Sequence, residues 1–272
     1  MTIHTRIKYS ILLIIPLILL ILLPAYSLAD ADRISEGTGM DKEAIEACKQ
    51  AIRTNPYDAV AYYLLGYAYL NIGKDNEAID AFKQATRINP DFAKAHTCLG
   101  HAYEHLDMEK EEIESYKQAI RINPDSAEAH YNLGHAYDHL DMNKEAIASY
   151  KQAIRINPDY AKAYTCLGRV YSKSGMEKEA IASYKQAIRV NPGFAEAHHY
   201  LGIAYVNSGK DNEAIDAFKQ AIRIDPDDAD AHYNIGRASV SLNDRESALE
   251  QYEILKNLDP EKAKELFNLI YK

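Results

Sequence analysis

The chain has 272 residues, 47% of them apolar and 26% charged, with 21 Tyr, 12 Gly and 9 Pro. That composition excludes collagen-like and disordered chains. Once Arg6 and Lys8 of the leader are set aside, 29 cations face 40 acids, a balance of −11 that repels phosphate backbones and excludes nucleic acid as a partner.

The chain opens with a positively charged stretch followed by an unbroken apolar run from Ile11 to Leu23, the n-region and h-region of a signal sequence. Small residues at Ser27-Leu28-Ala29, or at Ala29-Asp30-Ala31, offer cleavage sites that would make residues 1–29 a signal peptide. Alternatively residues 9–26, about 27 Å as a helix, stay uncleaved as a membrane tether. In both cases the positive flank remains in the cytoplasm and the rest of the chain is extracytoplasmic, either periplasmic, secreted or membrane-anchored. Residues 30–40 read as a polar linker. Cys48, Cys98 and Cys166 are too few and too far apart for a disulfide framework, so they read as packing thiols.

From there the chain is periodic. Pro stands at 56, 90, 124, 158, 192, 226 and 260, each 34 residues from the last and each preceded by Asn or Asp. KDNEAIDAFKQA occurs at Lys74 and again at Lys210, and KEAIASYKQAIR at Lys144 and Lys178, which marks an array built by duplication. Within the period that starts at Ala59, the pattern predicts one helix over about 59–71 and another over about 75–88. At the turn between the two helices the six periods place Gly73, Asp107, Asp141, Gly175, Gly209 and Asn243, residue types that tolerate the left-handed conformation closing a helix. The Asn-Pro or Asp-Pro pair stops the second helix.

Counting Ala59 as position 1, Tyr62, Leu65, Gly66 and Tyr69 occupy positions 4, 7, 8 and 11, and Ala78, Phe82, Ala85 and Pro90 occupy 20, 24, 27 and 32. These spacings resemble the signature of the tetratricopeptide repeat: a bulky aromatic, L-G, Y, A, F, A, P. The resemblance implies an all-α fold, a right-handed superhelical solenoid of antiparallel helix hairpins. Six copies run 59–92, 93–126, 127–160, 161–194, 195–228 and 229–262, behind a half-repeat cap at 41–58 and ahead of a capping helix at 263–272. The copies depart from the signature in places. Position 4 is His96, His130, His198 or His232 in four copies, where packing is the expected role. Glu112 stands where the other copies have Ala at position 20, and the last copy carries Ile235, Ser239 and Leu255.

At 100° per residue, positions 2, 5, 9, 12 and 13 of the first helix face away from the packing stripe. In the tetratricopeptide family this face lines a concave groove that receives a peptide. The resemblance therefore implies a partner-binding groove in which the first copy offers Tyr63, Tyr67, Leu70 and Asn71. The second offers Lys94, Thr97, His101, Glu104 and His105, and the third Tyr131, His135, Asp138 and His139. The fourth adds Lys162, Thr165, Arg169 and Lys173. The last two add His199, Ile203, Val206 and Asn207, then Tyr233, Arg237 and Val240. Because the character runs from aromatic through histidine-rich and basic to apolar, the partner expected is a protein or peptide with an acidic group near Arg169 and Lys173.

His101 with His105, and His135 with His139, are i,i+4 pairs on matching faces of adjacent hairpins. Four imidazoles converging on one ion would make a metal-binding or metal-sensing protein, the alternative to an interaction scaffold. No phosphate loop, nucleophile elbow or metalloprotease helix occurs, so neither an enzyme nor a cofactor is expected.

Overall fold

The structure, a computed structural model, describes residues 39–272. The leader and most of the linker lie outside the described residues. Those described form α-helices joined by short turns, without strands. The helices are α1 (Gly39–Thr54), α2 (Ala59–Asn71), α3 (Asp75–Ile88), α4 (Ala93–Glu104) and α5 (Glu109–Ile122). Next come α6 (Ala127–His139), α7 (Asn143–Ile156), α8 (Ala161–Lys173), α9 (Glu177–Val190) and α10 (Ala195–Asn207). The last four are α11 (Asp211–Ile224), α12 (Ala229–Ser241), α13 (Arg245–Leu258) and α14 (Pro260–Ile270). The chain divides into two compact units, the first ending at Pro90 and the second running from Asp91 to Lys272.

The turn residues decide where each hairpin folds back. Asp107, Asp141 and Asn243 have φ of 53°, 54° and 59°, and Gly73, Gly175 and Gly209 have φ of 68°, 72° and 69°. With that conformation in place, the Asp141 N–H reaches the Asp138 carbonyl at 3.1 Å and the Met142 N–H the Tyr137 carbonyl at 2.9 Å. Two carbonyls at the helix end are thereby satisfied. Asp58, Ser126 and Asp228 cap α2, α6 and α12 through side-chain oxygens that accept from the first-turn N–H groups.

Within each hairpin the closest approach lies between a glycine and a ring. A Cβ added to Gly100, Gly134, Gly168 or Gly202 would stand 2.5–2.8 Å from the ring of Tyr116, Tyr150, Tyr184 or Phe218, and Gly66 faces Phe82 in the same way. All five rings are buried. Alanines at positions 3, 20 and 27 let backbones approach, as at Ala129, Ala146 and Ala153, each 0% exposed. Successive hairpins of the second unit are joined by recurring contacts. Lys117, Lys151 and Lys185 lie 5.6–5.8 Å from the ring centroids of Tyr137, Tyr171 and Tyr205, one repeat on. His130, His198 and His232 point Nε2 at the carbonyls of Pro124, Pro192 and Pro226, 3.0–3.1 Å away. These three histidines thus tie the third, fifth and sixth hairpins to the end of the preceding one, and His198 and His232 are buried.

The last repeat departs from this pattern. Gly236 faces Leu266 of α14 in place of Tyr252, and Leu255 and Leu266 are fully buried against each other's helices. Helix α14 starts at Pro260, three residues before the expected 263, because Asp259 accepts from the N–H groups of Glu261 and Lys262 and Pro fits the first helical position. Cys48, Cys98 and Cys166 are buried, in keeping with packing.

Gly134→Ala should lower the chemical-denaturation midpoint by about 1–3 kcal/mol, since the methyl meets the Tyr150 ring at 2.8 Å in a core without slack. Gly175→Asn should change it by less than about 0.5 kcal/mol, because Asn243 already adopts that conformation in the same place and the space beside Gly175 is open. Equal effects would contradict the packing described.

Candidate functional site

First helices of adjacent repeats touch one another in the second unit, α6 with α8, α8 with α10 and α10 with α12. This crowding narrows the expected face. Positions 5 and 12 lie on its flank and are covered by the neighbouring hairpin or by the hairpin's own ring. Leu70 is 8% exposed, Asp138 1% and Thr165 1%. Tyr63 lies against Phe82, Tyr131 against Tyr150 and His199 against Phe218. A single-helix projection cannot see a neighbour, so Leu70, Asp138 and Thr165 were placed outward and are inward. Asn71, His105, His139, Lys173 and Asn207 at position 13, Lys94 and Lys162 at position 2, and Arg237 at position 9 are exposed. Tyr67, Thr97, His101, Glu104, His135, Arg169, Ile203, Val206, Tyr233 and Val240 are half-buried.

Repeats 2 to 4 bring the charged residues together. Asp138 holds Arg169 Nη2 and Lys173 Nζ, both at 2.8 Å, and Lys173 also lies 3.6 Å from Asp141. Burial opposes the Asp138 charge, but the hydrogen bonds from Lys173 and Arg169 outweigh it and hold the carboxyl below its ordinary range. Arg169 and Lys173 thus already share a carboxylate within the molecule, while Lys162 and Lys173 stay exposed.

Beside this pair, the Asn132 amide donates to His101 Nε2 at 3.1 Å, so the other ring nitrogen carries the proton. That nitrogen faces the Tyr116 hydroxyl at 3.1 Å and Glu104 at 3.4 Å. Glu104 is also 3.2 Å from His135 Nδ1. Burial acts against the Glu104 carboxylate, yet the hydrogen bonds from His101 and His135 prevail and hold it far below the usual range. The His135 and His139 rings are 4.2 Å apart. His101 is thus built into the packing, and the four-histidine convergence does not form. Glu104, His135 and His139 are what come together, with ligand atoms within 4.8 Å of one another.

Glu112 completes this region. Its side chain is 4% exposed, its Oε1 has no hydrogen-bond partner, and it lines a pocket of about 510 Å³ with Glu104, His139, Asp138 and Arg169. Burial, and then the negative charge of Glu104, pushes its carboxyl from 4.5 up to about 7. Between those values the folded chain holds a proton that the unfolded chain has released, so this group's contribution to stability is present at low pH and fades as pH rises toward 7.

The arrangement defines a helical-repeat array with side-chain clusters on its first helices. A family model described as Cilia and flagella-associated protein 70 C-terminal domain, a tetratricopeptide array, matches residues 27–265, and the chain belongs to that family. No catalytic family is indicated. Among solved structures, the chain is similar to MamA at 33% identity, covering 60% of this chain and 95% of that one with a TM-score of 0.57. It is also similar to YrrB, described as a TPR protein with an unusual peptide-binding site, at 25% identity over 69% and 97% of the two chains with a TM-score of 0.58. PilW, described as a type IV pilus biogenesis factor, shares the fold at 23% identity over 77% and 98%, TM-score 0.67. No curated protein matches the chain.

Two substitutions check the electrostatics. Arg169→Ala should cost about 3 kcal/mol by stripping a partner from the buried Asp138, measurable as a lowered denaturation midpoint. Glu112→Ala, which restores the alanine of the other copies, should stabilise the chain by roughly 1–3 kcal/mol at pH 8, with the gain shrinking toward pH 5. A gain equal at both pH values would place the cost elsewhere than in the Glu112 charge.

Proposed function

We propose that the chain is a noncatalytic scaffold, carried to the outer side of a membrane by its leader, that takes a segment of a partner protein on the first-helix face of its second unit. The observation that carries this reading is the contrast between the two helix rows. The second helices are near copies of one another, KEAIASYKQAIR recurring unchanged in α7 and α9, whereas the exposed first-helix positions differ from repeat to repeat. The protein YrrB, similar over most of its length, has a peptide-binding site by its description. Because Arg169 and Lys173 already bond Asp138, an acidic group on the partner would share them with that carboxylate. Half-buried Ile203 and Val206 in repeat 5 give an apolar stretch that favours a hydrophobic segment.

The outward location rests on the leader alone. No described helix is long and apolar enough to cross a membrane, so any tether is residues 9–26.

A photo-crosslinking residue at position 203 should yield a defined adduct in cells, whereas the same residue at exposed position 155 of α7 should not. Adducts from 155 alone would move binding to the second-helix face. N-terminal sequencing that finds Asp30 or Asp32 marks a cleaved leader, an intact chain resisting carbonate extraction marks the tether, and a full-length soluble cytoplasmic product would contradict export.

A further inference from the structure

We infer that Glu104, His135 and His139 form a binding site for a divalent transition-metal ion such as Zn²⁺, with Glu112 as an additional oxygen donor. The site goes beyond the scaffold reading and does not depend on it.

Three features carry the inference. The donors are two imidazoles and a carboxylate, the set that borderline ions such as Zn²⁺ accept. They come from two helices that their repeats hold at a fixed spacing: His135 and His139 stand one turn apart on α6, and Glu104 ends α4. Their ligand atoms already lie within 4.8 Å of one another, with His135 Nδ1 3.2 Å from Glu104. A tetrahedral ion with bonds of about 2.1 Å needs separations of about 3.4 Å, within reach of side-chain rotation. Glu104 and His135 already face each other at 3.2 Å, and an ion between them would engage the same two atoms.

Glu112 is the independent observation. Five of six repeats place alanine at position 20, and this copy alone carries a carboxylate there, 4% exposed and with Oε1 unpartnered. It lines the same pocket as Glu104 and His139. A buried carboxyl oxygen without a partner costs stability, and a cation would supply the partner that Oε1 lacks. The pocket also carries Asp107, Glu109 and Asp141, so its carboxylates outnumber Arg169 and Lys173.

The test is a Zn²⁺ titration of the full chain, followed calorimetrically against a competing chelator, with circular dichroism to verify that each variant folds. Wild type should bind one ion per chain. His139→Ala and Glu104→Gln should each weaken binding by at least about tenfold, while His105→Ala, outside the trio, should stay within about twofold of wild type. Co²⁺ should give visible absorption bands with no sulfur-to-metal charge-transfer band. Absence of stoichiometric binding, equal losses in His105→Ala and His139→Ala, or a thiolate band pointing to the buried cysteines would each overturn the site.

Discussion

The fold depends on the contact between a glycine at position 8 of each first helix and an aromatic ring at position 24 of the second. Gly66, Gly100, Gly134, Gly168 and Gly202 each leave room for one buried ring, and a single methyl there would overlap it. Since interiors are packed without slack, the approach of the two helices is set locally, once per hairpin. The last hairpin keeps the glycine but seats Leu266 of α14 on it in place of a ring.

That local closure frees the outer face of the first helices from any duty in holding the hairpin together. Coupling between repeats of the second unit is carried in part by position-4 histidines reaching back to proline carbonyls and by lysines over tyrosine rings, and in repeats 2 to 4 also by ion pairs of the first helices. In repeats 2 to 4 positions 2, 9 and 13, with their flanks, have filled with charge. Asp138 clamps Arg169 and Lys173, and next to it Glu104 gathers His101 and His135.

The period of 34, the glycines, the alanines and the turn residues were legible in the sequence because each is a local requirement repeated in phase. Contacts that cross between hairpins were less so. Asp138 faces outward on a lone helix and is buried where α8 lies alongside with Arg169 and Lys173. The pairing of Asp138 with Arg169 spans 31 residues, and the outward-facing reading that counted Arg169 and Lys173 as free cations had no way to register it. His101 shared its spacing with His135, yet Asn132 and Tyr116 draw it into the packing. Glu112 was signalled as the one break in an alanine column, although only the structure joins it to His139 and Glu104 in one pocket.

The central claim is that each of the first five hairpins is closed by its own glycine–ring contact and supported only by its neighbours. Residue-resolved hydrogen exchange on Gly168→Ala tests it most directly, because the added methyl would meet the Tyr184 ring at 2.6 Å. The account predicts protection lost most in α8 and α9, less in α6, α7, α10 and α11, and little in α4, α5, α12 and α13. Uniform loss of protection from α4 to α14 would contradict it, because the second unit would then share one cooperative core.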